Sequence, residues 1–205
     1  RDCDAIIHID ISADFSSCYQ NACVAAEDFP NVYVVDSRTL SSGHGHVVCE
    51  AVKMAEDGIL SPKEIVDKLQ DLTNRVEASF LLDRLDYMVK GGRCSMVVAL
   101  GANLLHLKPC IEVIDGKMKV VKKYRGSYEK CILNYVKDRL KGRDGLVYDR
   151  IFITHTPVED GIVEKVRAAI AEYAPFTEII ETNAGCTVSC HCGPGTLGIL
   201  FIRSE

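Results

Sequence analysis

Two short apolar runs, residues 5–11 (AIIHIDI) and 32–35 (VYVV), are each followed by a turn and a helix-compatible segment. A β-α-β-α order of this kind pairs its strands in parallel, because each helix carries the chain back to the end of the sheet it left. It also places functional loops at the strand C-termini. The spacing predicts strands over 5–11 and 32–35, and helices over 19–27 and 43–57. Ser61-Pro62-Lys63-Glu64 is a helix start, with a capping Ser, a Pro in the first helical position and a Glu three residues after the cap. That helix runs to about residue 74.

The pattern changes near residue 78. A strand over 78–82 precedes a short helix over 84–89, stopped by Gly91-Gly92. Residues 95–105 are apolar and read as helical. Strands over 108–114 and 117–124 are joined by Asp115-Gly116, a strong hairpin signal. A helix over 128–140, a strand over 150–155, a helix over 159–173 and a strand over 177–182 follow. Strands over 187–190 and 196–202 flank Gly193-Pro194-Gly195. The expectation is an α/β chain of two domains. Residues 1–78 form an incomplete parallel-sheet α/β domain, and residues 79–205 an α+β domain with a mainly antiparallel sheet. Two strands do not make an independently stable sheet, so the first domain needs partner strands or support from the second.

Composition narrows the function. The net charge of -5 excludes a general nucleic-acid binder. The one basic cluster, Lys117, Lys119, Lys122, Lys123 and Arg125, reads as the exposed face of a strand pair. No apolar stretch reaches bilayer-spanning length, and the Arg-Asp-Cys-Asp opening is unlike a secretory signal. With no initiator Met, the chain reads as cut or processed. The ten cysteines sit in apolar, periodic segments. They read mostly as small buried hydrophobes in a reducing cytoplasm.

Three segments carry candidate chemistry. Ser12, with Ser16, Ser17 and Tyr19, lies between a strand and a helix, where N–H groups and hydroxyls either hold an anion or merely cap the helix. Gly91-Gly92-Arg93 either presents an Arg to a carboxylate or phosphate, or is a helix stop with a solvated Arg. Cys190-His191-Cys192 suggests a metal knuckle. Read as a strand, however, it points His191 away from both cysteines, so the three do not converge on one ion. His191 is then either a donor to an anionic head group or a structural histidine. His44, His46, His106, His155 and Asp36-Ser37 rank lower. His44 and His46 are expected to be partly exposed.

Taken in order, these segments resemble the DegV family of bacterial fatty-acid-binding proteins. Residues 11–22 (ISADFSSCYQNA), Val34-Val35-Asp36-Ser37, residues 85–93 (LDYMVKGGR), Lys108-Pro109, Asp115-Gly116, Arg125-Gly126 and His191-Cys192-Gly193-Pro194-Gly195 follow the family's motifs across nearly the whole chain. The resemblance implies two domains enclosing a long acyl chain in a tunnel. The carboxylate is presented to a partner fatty acid kinase, which makes the acyl phosphate. The protein is then a cytoplasmic carrier subunit and no enzyme, without metal or cofactor. Ser12 takes a head-group hydroxyl position and His191 the head-group imidazole, with Gly193 beside it. Arg93 and Arg125 lie near the head group or the kinase-docking face. The apolar run 96–107 and residues 199–201 are plausible tunnel walls.

Ala13 replaces a family Ser, Ser17 a Gly and Cys18 a Thr. The family's N-terminal portion, with a further carboxylate donor, has no counterpart here, so a longer native protein or a second chain is expected to supply it. The competing reading is a stand-alone cysteine/histidine hydrolase or phosphotransferase, although neither a Gly-x-Ser-x-Gly elbow nor a P-loop is present. A Cys/His metal module is a third.

Overall fold

A computed structural model of the protein describes residues 3–92 and 107–204. The chain divides into two compact units, Arg1–Val76 with the hairpin tip Asp115–Lys117, and Glu77–Ile114 with Met118–Glu205.

In the first unit, β1 (Ile6–Asp10) pairs in parallel with β2 (Val32–Asp36), with Ile6 opposite Val32 and Asp10 opposite Asp36. The connecting α1 (Cys18–Ala26) buries none of its residues. The core comes from Val35, Val47, Leu69 and their neighbours on α2 (Ser41–Asp57) and α3 (Pro62–Thr73). The capping box that starts α3 is formed in full, with Glu64 N–H donating to the Ser61 hydroxyl and Ser61 N–H donating to the Glu64 carboxylate. His44 is half-buried, but His46 is fully buried, against expectation. The helical period turns position 46 inward beside Val47 and Gly43.

The second unit holds β3 (Val76–Leu81), α4 (Asp86–Gly91), β4 (Leu107–Ile114), β5 (Lys117–Arg125), α5 (Tyr128–Leu140), β6 (Leu146–His155), α6 (Ile162–Tyr173), β7 (Glu178–Asn183), α7 (Cys186–Cys192) and β8 (Leu197–Arg203). Its six strands lie in the order β5-β4-β3-β8-β6-β7. β3–β4 and β6–β8 are antiparallel, and β6–β7 is parallel. The sheet is mixed. Asp115 and Gly116 both take positive φ, as the two-residue turn between β4 and β5 demands.

One face of this sheet carries α5 and α6. Tyr135 of α5 is fully buried. Its hydroxyl donates to Ser79 O at 2.7 Å and accepts from Ile199 N–H at 3.0 Å, tying the neighbouring strands β3 and β8. The fully buried Ile199 and Phe201 belong to this core. Leu200 points to the other face, with Ala78 and Phe152. Beside them, Phe80, Leu82, Met88 and Cys192 form a further apolar cluster.

The strand expected over 187–190 is a helix. The β-branched Thr187-Val188 pair favours extension locally, yet tertiary contacts override it. Val188 packs on the Phe80–Met88 cluster and Cys192 is buried in it. Ser189 Oγ donates back to Ala184 O at 3.1 Å, and Gly193 N–H closes the last turn on Ser189 O at 2.8 Å. The helix expected over 95–105, Arg93 and His106 lie outside the described residues. The cysteine expectation holds only in part: Cys110, Cys131 and Cys192 are buried, but Cys3, Cys18, Cys186 and Cys190 are exposed.

Candidate functional site

The second unit brings two of the glycine-rich motifs together. α4 ends at Gly91 with Gly92 in the left-handed conformation, and α7 ends at Cys192 with Gly193 following at φ +76°. The His191 ring rests on the bare Cα of Gly91, and a β-carbon there would overlap His191 Nδ1. Reciprocally, the Tyr87 ring lies over Gly193, where a β-carbon would overlap it and a left-handed φ already favours glycine. Two ring-on-glycine contacts thus lock α4 to α7 and fix the imidazole.

The locked ring has an unusual environment. Its Nδ1 is buried and has no hydrogen-bond partner among the described residues. The tautomer with hydrogen on Nε2 leaves Nδ1 a lone pair against Gly91 and makes Nε2–H the available donor. In the helix, Cys190 is exposed and Cys192 buried, on either side of His191. Strand alternation does not apply to these three residues, since the segment is helical, but a helix also splays three consecutive side chains.

Thr156, which sequence reasoning did not single out, holds the turn that follows. Its Oγ1 donates to Gly193 O at 2.9 Å and accepts from Thr196 N–H at 3.0 Å. Its own N–H donates to Thr196 O at 3.0 Å. Both main-chain polar groups of Gly193 are thereby engaged, so this residue shapes the site and offers no free donor. Gly195 meets Asp83, which pairs with Lys108. Tyr128 has a buried hydroxyl without a partner among the described residues. Burial first, then the negative Asp83 and Glu159, push its phenol above the ordinary range. A lone Thr or Tyr at an element end carries no motif, and this is why both were missed.

Ser12 belongs to the first unit, where β1 and β2 end. It is fully buried. Its hydroxyl donates to Gly116 O at 2.9 Å and accepts from Asp14 N–H at 3.3 Å, so its proton is committed within the loop. Asp36 accepts from Arg38 N–H at 2.8 Å and Ala13 N–H at 3.3 Å, tying the two loops that follow the strands. Thr39 is buried, and its hydroxyl has no partner among the described residues. Arg125 closes β5 and is exposed. Arg93 falls outside the described residues.

The family model described as "Uncharacterised protein, DegV family" matches residues 1–204. A DegV domain-containing protein of Caldanaerobacter subterraneus subsp. tengcongensis is 31% identical over 201 residues, covering 97% of this chain and 70% of its own. A protein of Thermotoga maritima named fatty acid-binding protein is 30% identical over 202 residues, covering 97% of this chain and 69% of its own. Among solved structures, a DegV family protein from Thermus thermophilus, described by its fatty acid binding, superposes with a TM-score of 0.85 at 28% identity. That match covers 98% of this chain and 72% of the other. With the family model matching residues 1–204 of this chain and two relatives at 30% identity or more, the chain belongs to the DegV family.

Proposed function

We propose that this protein is a fatty acid carrier that binds a long-chain acyl group and offers its carboxylate to a partner kinase for acyl phosphate formation. The observation that carries the reading is His191: a ring seated on Gly91 with Nδ1 buried, so that the tautomer with hydrogen on Nε2 makes that nitrogen the donor. A carboxylate taken out of water needs such charge-assisted donors. The acyl chain supplies most of the affinity, about 0.8 kcal/mol per buried methylene. The apolar sheet face of Phe80, Phe152 and Leu200 in the same unit suits it.

Ser12 is assigned a positioning role, because its proton goes to Gly116. Arg125 is exposed and free to meet an acidic partner surface or a phosphate. The resemblance gives Arg93 the same role. The relatives named or described as fatty acid binding support the ligand class. The exposed, unpaired cysteines fit a reducing cytoplasm.

The kinase step is tested by incubating the acyl-loaded protein with ATP, with and without a fatty acid kinase, and trapping acyl phosphate as the hydroxamate. The expected result is product only when the kinase is present. Turnover by the protein alone favours the hydrolase or phosphotransferase reading.

A further inference from the structure

Cys186 and Cys190 are both exposed and stand one helical turn apart on α7. Side chains at i and i+4 share a helix face, with Cβ atoms about 5–6 Å apart. A disulfide needs Cβ atoms about 3.5–4.5 Å apart. The thiols are therefore neighbours that cannot be joined while α7 stays helical. α7 is held by tertiary contacts and has little of its own to keep it helical. It has 7 residues, no side-chain cap at its start and Cys192 as its buried residue. A helix this short has no stability of its own and depends on its packing. That packing is the seat of His191 on Gly91 and of Tyr87 on Gly193.

We propose that Cys186 and Cys190 form a reversible dithiol–disulfide site, oxidised by a hydroperoxide, whose closure unwinds α7 and withdraws His191 from Gly91. One thiolate attacks a peroxide oxygen. The O–O bond breaks, a sulfenic acid forms, and the leaving oxygen takes a proton. The second sulfur then displaces the sulfenic oxygen, forming the S–S bond, and that oxygen leaves as water with the second thiol's proton. Two sulfurs are oxidised, and the peroxide oxygens are reduced. Cys192 is a poor competitor, because burial pushes its thiol up to about 12 and keeps it protonated. The site needs no acyl ligand, so it stands apart from the carrier reading.

Trypsin releases residues 168–203 as one peptide containing Cys186, Cys190 and Cys192. The test is to treat the reduced, intact protein with hydrogen peroxide, map this peptide by mass spectrometry and follow amide exchange at Gly193. The expected result is loss of two hydrogens from the peptide in the native sequence, but not in Cys186→Ser or Cys190→Ser. Exchange of the Gly193 amide, whose partner is Ser189 O, should accelerate about tenfold or more and recover with dithiothreitol. A bridge that persists in either Ser variant overturns the proposal. So does a 186–190 bridge that leaves Gly193 exchange unchanged, or the absence of any bridge.

Discussion

Glycine is required at position 91 because a histidine ring occupies the place of its side chain. Gly91→Ala should therefore displace His191 or push α4 off α7, at about 1–3 kcal/mol, the usual penalty for overpacking. Chemical denaturation measures the loss, and an unchanged midpoint would show that the ring is not seated there. The Gly-Gly turn itself was legible, as a helix stop. Its contact with His191 was not, since the partners lie far apart in sequence and neither residue type announces the other. Ser12 shows the opposite limit: its position after a buried strand was legible, but not that its proton goes to the carbonyl of Gly116 in a distant hairpin.

Among the elements, those with strong local signals read correctly: the capping box of α3, the Asp115-Gly116 turn and α5 over Tyr128–Leu140. Each has a cause confined to a few neighbouring residues. α7 failed because its helix is imposed by packing on Phe80 and Met88 against the preference of Thr187 and Val188. A second long-range device joins β3, α5 and β8. Glu77, largely buried, receives Arg139, Arg143 and Arg203. Glu77→Ala leaves Arg139, also largely buried, with Glu112 as its remaining carboxylate among the described residues. A loss of about 3 kcal/mol in urea unfolding is expected. A loss below 1 kcal/mol would mean that the network is exposed in solution.

At the scale of the whole molecule, the change from β-α-β-α to hairpin-linked strands gave the class of the chain, a small parallel sheet plus a larger mixed one. The strand order was beyond it, because pairings such as β3 with β8 depend on the complete set of strands. Buried acids of the second unit set its alkaline limit. Burial pushes the Cys110 and Cys192 thiols from 9.0 to about 12, and the Tyr124, Tyr128 and Tyr135 phenols move in the same direction. Above pH 9 the unfolded chain loses these protons before the folded one. The stability they contribute is full below that pH and falls as the pH rises through the folded values toward 12. Urea midpoints should hold from pH 7 to 9 and drop by pH 11, and a flat profile would contradict the burial of these groups.

The hold of His191 on an acyl carboxylate, proposed above, is open to a direct measurement. Native mass spectrometry of the intact protein, purified from its own cells and paired with lipid extraction, tests it most directly. One long-chain fatty acid per molecule is expected, largely lost in His191→Ala while the fold survives. Ligand-free native protein, or His191→Ala with undiminished acyl content, would contradict it.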